Sequence, residues 1–410
     1  SLVIWEKEGL AILTRDTIQH FIEANLDRDP AQLALSTKIN DFPLHLVSTQ
    51  IKYLQKAKRK LPAYYTARCI IPPLAYEQSS STTTAQMKNY QGKRCLDLTC
   101  GLGADTTHFA RHFEEVIALE PQEGLFHVNQ YNFARLGLDN IQLHKQTAES
   151  FLATYQGPAF DLIYLDPSRR TEAGKRAFAF EDLSPNLTAL LPRLFELGKK
   201  ILVKTTPLYD VAEAWKKFPK LSKTFLFSVK NECREFLLEW NPLSNEPHKL
   251  SPAQVVKLSD HSQTQRFSFR PAEPVRALPP SLPYPRQGFL TEPDVAFYQQ
   301  RLTLALADQY YAAWEGQWNH PQGYFFSEEK PPADFPGRHF AIQEIWPYKP
   351  KHLKKDLKAL GISQAHVSRR FFPFTVSHIR KSLNLREGGN SYLMFTQWAE
   401  EKIAILARRI

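Results

Sequence analysis

The chain has 410 residues, of which 43% are hydrophobic and 23% charged, with a formal net charge of +10. That length allows about two to four domains of ordinary soluble composition and excludes a low-complexity or collagen-like chain. No apolar run reaches the roughly 18 residues of a membrane span, and Cys69, Cys95, Cys100 and Cys233 have neither zinc-site spacing nor disulfide-scaffold density.

No metal and no membrane partner are therefore expected. The opening "SLVIWEKEGL" lacks a secretion signal's basic–apolar–small pattern, so a reducing cytoplasm is the expected location. Oligomeric state stays open.

Residues 1–85 carry helical apolar spacing in "AILTRDTIQHFIEANL" and "LVSTQIKYLQKAKRKL", which predicts a helical N-terminal extension. Over 86–270 short apolar runs alternate with amphipathic ones. "KRCLDL", "EVIALE", "NIQLHK", "FDLIYLD" and "KKILVKT" read as strands separated by helices, which implies a mostly parallel, doubly wound α/β sheet. "KTFLFSV" and "REFLLEW" follow too closely for a helical crossover and predict a closing antiparallel pair, seven strands in all. Six prolines in "RPAEPVRALPPSLPYPRQ" mark a linker at 271–287. A small module follows at 288–335. Residues 336–410 then read strand–helix–strand–helix–strand–strand, a small α+β domain.

The charge is uneven. Gly337 to Ile410 holds 14 Lys/Arg against 5 Asp/Glu, nearly all the chain's surplus. Such a module suits a polyanion. Helix "KPKHLKKDLKAL" spaces Lys351, Lys354, Lys355 and Lys358 by three and four residues, and "HVSRRFFPF" sets Arg369 and Arg370 among aromatics. Such residues can follow phosphates and stack on unpaired bases, so a nucleic acid is one reading, which becomes RNA if a methyltransferase domain precedes the module. The alternative is a solvated lysine face, with Phe371, Phe372 and Phe374 in a core.

The most informative stretch is "RCLDLTCGLGADT", a strand entering a Gly101-x-Gly103 turn and then a helix. A dinucleotide fingerprint needs a small residue three positions after the second glycine, and Thr106 stands there instead. No Lys-Ser/Thr pair follows, which excludes a P-loop. Carboxylates flank the turn: Asp97 ends the strand and Asp105 opens the helix. They would repel a pyrophosphate and attract an ammonium group. S-adenosylmethionine (SAM), cationic and phosphate-free, is such a ligand. Glu120, ending the next strand, could accept from both ribose hydroxyls. Thr147 and Ala148, after the third strand, could border the adenine.

The fourth strand ends in "FDLIYLDPSRR". Asp166, Pro167, Ser168 and Arg169 would stand beside the reacting methyl group, with Pro167 fixing the exit from the strand. Asp166 could orient the acceptor or take its proton. Arg169 and Arg170 could hold a phosphate, or could form a salt bridge fixing the loop that follows.

These motifs make the sequence resemble the class I SAM-dependent methyltransferases: "DLTCGLGADT", "ALEP" and "LDPSRR…EDLSPNL" look like that superfamily's cofactor and post-strand-four motifs. The chain is similar in particular to bacterial methyltransferase-like proteins that end in a ferredoxin-like segment and a THUMP-like domain. "FLTEPDVAFYQQRL", "DFPGRHFAIQEI", "HVSRRFFPFTVSHIRKSLNL" and "REGGNSYLMF" carry that part of the likeness, and "EQSSSTTTAQMKNYQGKRCLDL" the lead-in to the first strand. The resemblance implies a Rossmann-like methyltransferase sheet, SAM held by Asp97, Thr99, Gly101, Gly103, Asp105, Glu120, Thr147 and Ala148, and an RNA substrate such as tRNA or rRNA. Departures narrow the chemistry. Neither "DPSRR" nor "VKTTPLYD" holds the cysteine that pyrimidine-C5 methylation requires. The Pro-Pro-aromatic stretch of adenine amino-methylation is also lacking, and Phe178 or Phe180 could replace its ring or simply pack. A nitrogen or oxygen acceptor is the expectation. The alternatives are a vestigial RNA-binding protein and a methyltransferase of small molecules or proteins.

Overall fold

A computed structural model describes residues 2–36, 42–169, 180–242, 251–260, 263–271 and 280–410. The chain packs into two units, residues 1–209 with 213–227 and 234–253, and 210–212 with 228–233 and 254–410.

In the first unit the predicted strands form as β1 (Gly92–Asp97), β2 (Phe113–Leu119), β3 (Ile141–His144), β4 (Phe160–Leu165), β5 (Gly198–Thr205), β6 (Lys223–Val229) and β7 (Glu232–Trp240). Their order is β6-β7-β5-β4-β1-β2-β3. The pairs β1–β2, β2–β3, β1–β4 and β4–β5 are parallel, while β5–β7 is antiparallel. The near-continuous apolar runs of β4 and β5 follow from helices on both faces. From β1 the chain goes first to β2 on one side, then returns to β4 on the other. That reversal opens a crevice at the carboxyl ends of β1 and β4, where doubly wound sheets bind ligands.

The N-terminal helices belong to this unit's core. Val47, Ile51 and Leu54, one face of helix Leu44–Lys60, share a buried cluster with Leu102 and Ala104 of the glycine turn and with Leu125 and Val128. The same cluster holds Leu13, Ile18, Ile22 and Leu33 of the preceding helices, so the expected extension packs as part of this unit's core.

The second unit has a ribbon of β8 (Ala253–Ser259) and β9 (Thr264–Phe269), and a sheet of β10 (Phe289–Pro293), β11 (Gln317–Trp318), β12 (Phe325–Ser327), β13 (Gly337–Pro347), β14 (His366–Arg369), β15 (Tyr392–Trp398) and β16 (Glu401–Arg409). That sheet's order is β11-β12-β10-β13-β16-β15-β14. β13 pairs with β10 on one edge and β16 on the other, so the residues expected as two modules, 288–335 and 336–410, make one sheet. Strand alternation divides its faces: Leu393, Phe395, Ala404 and Leu406 pack on Leu353, Leu357, Ile379 and Leu383 of two helices, and Met394, Ile403 and Ile405 pack on Leu290, Tyr324 and Phe340. Among the described residues no helix is long and apolar enough to cross a membrane.

Candidate active site

β1 carries Asp97 into the interior, where it has no exposed surface. Its carboxylate accepts from the Thr99 N–H at 3.0 Å and the Thr106 hydroxyl at 2.7 Å. Burial pushes its pKa up to about 7, against the pull of those two hydrogen bonds. This corrects the expectation that Asp97 faces a cationic ligand: it anchors the turn from behind. Thr106, which breaks the dinucleotide pattern, is its partner.

Both turn glycines have left-handed φ, +58° at Gly101 and +93° at Gly103, and they serve different purposes. A Cβ on Gly103 would stand 2.7 Å from the Phe133 ring and 3.1 Å from Tyr64 Oη, so close packing demands glycine. A Cβ on Gly101 would meet nothing within 4 Å and would project into open space. Tyr64 donates to the Leu102 carbonyl at 2.9 Å and Asn129 to that of Gly101 at 2.7 Å, holding the turn from two elements.

Beyond the turn lies a hollow of about 560 Å³. The candidates Thr99, Gly101, Gly103, Asp105, Glu120, Thr147, Ala148, Asp166 and Ser168 all line it. The charged residues on its described wall are Asp105, Glu120, Glu149 and Asp166, with no lysine, arginine or histidine among the described lining residues. Glu120 accepts from the Gly101 N–H at 3.2 Å and the Gln122 N–H at 3.1 Å, which fixes its carboxylate against the turn. Thr147 caps helix Ala148–Thr154 by accepting from the Ser150 N–H at 3.1 Å. The Asp166 N–H donates to Thr99 Oγ1 at 2.7 Å, tying the two motifs together. Pro167 is buried behind the wall. Phe180 is also buried, packed edge-on against Tyr209 and Phe218, and so serves the core. Arg170, Phe178 and the side chain of Arg169 lie outside the described residues.

Sequence reasoning missed the cations behind the wall. Lys88, fully buried, sits 2.8 Å from Asp105 and 2.7 Å from Glu235. Lys204 lies 3.4 Å from Asp166 and 3.8 Å from Glu235. Ser80 and Tyr164 donate to the other oxygen of Asp105, at 3.0 and 2.7 Å. Burial alone would raise the Asp105 pKa, yet Lys88 and Lys204 bring it down to about 2. Asp166, with 32% of its side chain exposed, is the network's open end. Withdrawal from water raises its pKa, and Lys204 only partly offsets this. The segment around Leu74, Gln78 and Ser80 also lines the hollow, although its sequence reads as a lead-in.

In the second unit Lys351, Lys354, Lys355 and Lys358 are all exposed on helix Pro350–Ala359, whose Leu353 and Leu357 face the core. Arg369 is exposed and donates to the Phe372 carbonyl. Arg370 corrects the expectation of an RNA contact: it pairs with buried Glu292 at 2.9 Å and lies 3.6 Å over the Tyr298 ring, leaving its guanidinium committed.

Residues 81–182 match the family model described as conserved hypothetical protein 95, and residues 337–409 match that described as THUMP domain-like. The 23S rRNA (uracil(747)-C(5))-methyltransferase RlmC of Vibrio vulnificus (strain CMCP6) is 25% identical over 166 residues, 38% of this chain and 43% of that protein. The 23S rRNA (uracil(1939)-C(5))-methyltransferase RlmD of Alkalilimnicola ehrlichii is 40% identical over 82 residues, 19% of this chain and 18% of that one. The chain thus spans less than half the length of these curated relatives. A crystal structure from Porphyromonas gingivalis W83, provisionally named a methyltransferase, superposes with a TM-score of 0.80 at 25% identity, covering 97% of this chain and 98% of that one.

Proposed function

We propose that this chain, a SAM-dependent methyltransferase in fold with a THUMP-like domain, transfers the methyl group of SAM to a nitrogen or oxygen atom of a cytoplasmic RNA, either rRNA or tRNA. The observation that carries the reading is the acidic hollow, which joins the glycine turn and Glu120 to Asp166 without one basic lining residue among those described. A pyrophosphate would find no counter-charge there, whereas a sulfonium with an ammonium group would.

When bound, SAM supplies the electrophilic methyl group. The chain's own residues bind and orient. Glu120, held against the turn by two backbone N–H groups and lining the hollow, would accept from a vicinal diol. The open space at Gly101 lets a ligand approach the main chain. Thr147 and Ala148 border the far end. Asp166 holds the acceptor at the mouth and, as a partly shielded carboxylate, can receive its proton.

Uracil-C5 methylation, the reaction that the relatives' names give, needs a thiolate adding to the ring. The four cysteines offer none. Cys100 lines the hollow but is itself buried, with its thiol raised well above the usual range by burial. Burial raises Cys95 likewise and pushes Cys69 and Cys233 up to about 12. A nitrogen or oxygen nucleophile requires no such adduct. RNA as substrate is supported by the relatives, the THUMP-like match and the exposed lysines.

The test is methyl transfer from labelled SAM to RNA isolated from cells lacking the protein, followed by nucleoside mass spectrometry. Label should enter one nucleoside outside the uracil C5 position and vanish with Asp166→Ala. Label in no RNA fraction, despite tight RNA binding, would mean a vestigial enzyme. Label that survives ribonuclease would move the acceptor to protein or a small molecule.

A further inference from the structure

We infer that the loop following β14, residues Arg370 to Phe374, is a stacking platform for unpaired bases of RNA. The inference deepens the RNA reading above and rests on it.

The loop alternates sharply. Arg370 turns inward onto Glu292 and Tyr298. Phe372 turns inward as well, 4% exposed and 5.6 Å from the Phe395 ring. Between them Phe371 adopts φ +50° and leaves 36% of its surface in solvent. A phenylalanine in the left-handed region is strained, and such strain persists only where the surroundings over-determine it. Here the inward anchors on both sides do so, and Arg369 closes the loop by donating to the Phe372 carbonyl. The ring stays outward at that cost, with the His320 ring as its stacking partner.

The ring is also paired in a way that suits a base. His320 lies parallel to Phe371, centroids 3.7 Å apart and planes 4° from parallel. The Gln322 N–H donates to His320 Nδ1 at 3.0 Å, so Nδ1 is an acceptor and the neutral ring carries its proton on Nε2. Three residues on, Phe374, half-buried against Phe372 and Tyr348, backs the exposed His378 ring at 4.6 Å and 18°, with Lys402 Nζ 6.0 Å from the Phe374 ring centre. Two flat aromatic pairs three residues apart, with a cation beside one, can receive successive bases. Duplex bases are already stacked on one another, so only an unpaired segment can add to these rings. The same domain's exposed lysines supply the charge complement for its phosphates.

The experiment measures binding of the full chain to one oligoribonucleotide carrying 2-aminopurine, single-stranded or annealed to its complement, across a salt series. The single strand should bind more tightly than the duplex, with 2-aminopurine emission quenched. Phe371→Ala should lose about 5- to 150-fold in affinity and relieve the quenching, while the slope of log affinity against log salt stays unchanged because no charge is removed. Phe371→Tyr should bind as the wild type does, and both variants should keep its circular dichroism spectrum and its thermal unfolding profile, which report that the second unit folds. If Phe371→Ala binds RNA as well as the wild type, or duplex binds equally without quenching, the platform is overturned and the RNA reading survives. If the wild type binds no RNA, both fall. A wild-type dimer that Phe371→Ala dissociates, with RNA affinity unaltered, would assign the face to a second copy of the chain and overturn the platform.

Discussion

Among the described residues two buried ionic clusters, one in each unit, are built on opposite plans. In the first unit Lys88 and Lys204 serve three carboxylates, Asp105, Glu235 and Asp166, which leaves acid in excess. In the second unit one carboxylate, Glu292, is saturated: Arg338 takes one oxygen, while Arg370 and the Ser368 hydroxyl take the other. Burial would raise the Glu292 pKa, but the two guanidinium groups hold it below the ordinary range. Arg forks suit a fixed, saturated pair, whereas a lysine ammonium can be shared among several acids. The difference teaches how to tell structure from function among buried charges. A saturated cluster fixes an architecture; one whose surplus charge reaches a hollow is equipped for a ligand of opposite sign. Neither is expected to be more stable than apolar packing of the same volume.

That contrast breaks most visibly at Asp166. Asp166→Asn should cut methyl transfer by about 10²- to 10⁴-fold while leaving the denaturation midpoint within error, since its carboxylate is partly hydrated. A large loss of stability instead would place Asp166 with the structural cluster. Lys88→Met should destabilise the first unit by about 3–5 kcal/mol in chemical denaturation, because Asp105 and Glu235 lose the fully buried cation they share. Glu292→Gln should cost less, about 2–3 kcal/mol, because the Arg338 and Arg370 side chains keep 32% and 22% exposure and can hydrate. Its pH signature sharpens the point. The stability contributed by a depressed carboxyl is present above pH 4.5 and lost as pH falls through its lowered folded value, so the variant should show a flatter acid limb. The smallest effect is a displacement. Lys204→Met removes the cation holding down the already raised Asp166 pKa, so the acid limb of the rate–pH profile should move to higher pH.

The strands, the glycine turn and the acid ending β2 were legible because local pattern determines them: apolar runs, φ-permissive glycines and strand-end positions. The lysines were not. Lys204 follows "KKILV", where a charge reads as solvated, and its burial depends on Asp166 and on Glu235 of β7. Lys88 meets Glu235 across 147 positions of sequence. Arg370 reads as a surface cation beside phenylalanines, and Glu292, 78 positions away, together with the Tyr298 ring turns it inward. Asp97 was located correctly at the strand end, but its orientation followed from Thr106, whose hydroxyl gives the carboxylate a partner behind the turn. Sequence pattern placed the residues; long-range pairing decided which way they point.

The most direct measurement is a calorimetric titration of the full chain with SAM and, separately, with NAD. SAM should bind one to one and lose most of its affinity in Glu120→Ala, while NAD, bearing a pyrophosphate, should give no heat of binding. Saturation by NAD, or no SAM binding at millimolar ligand, would contradict an acidic hollow built for a phosphate-free cation.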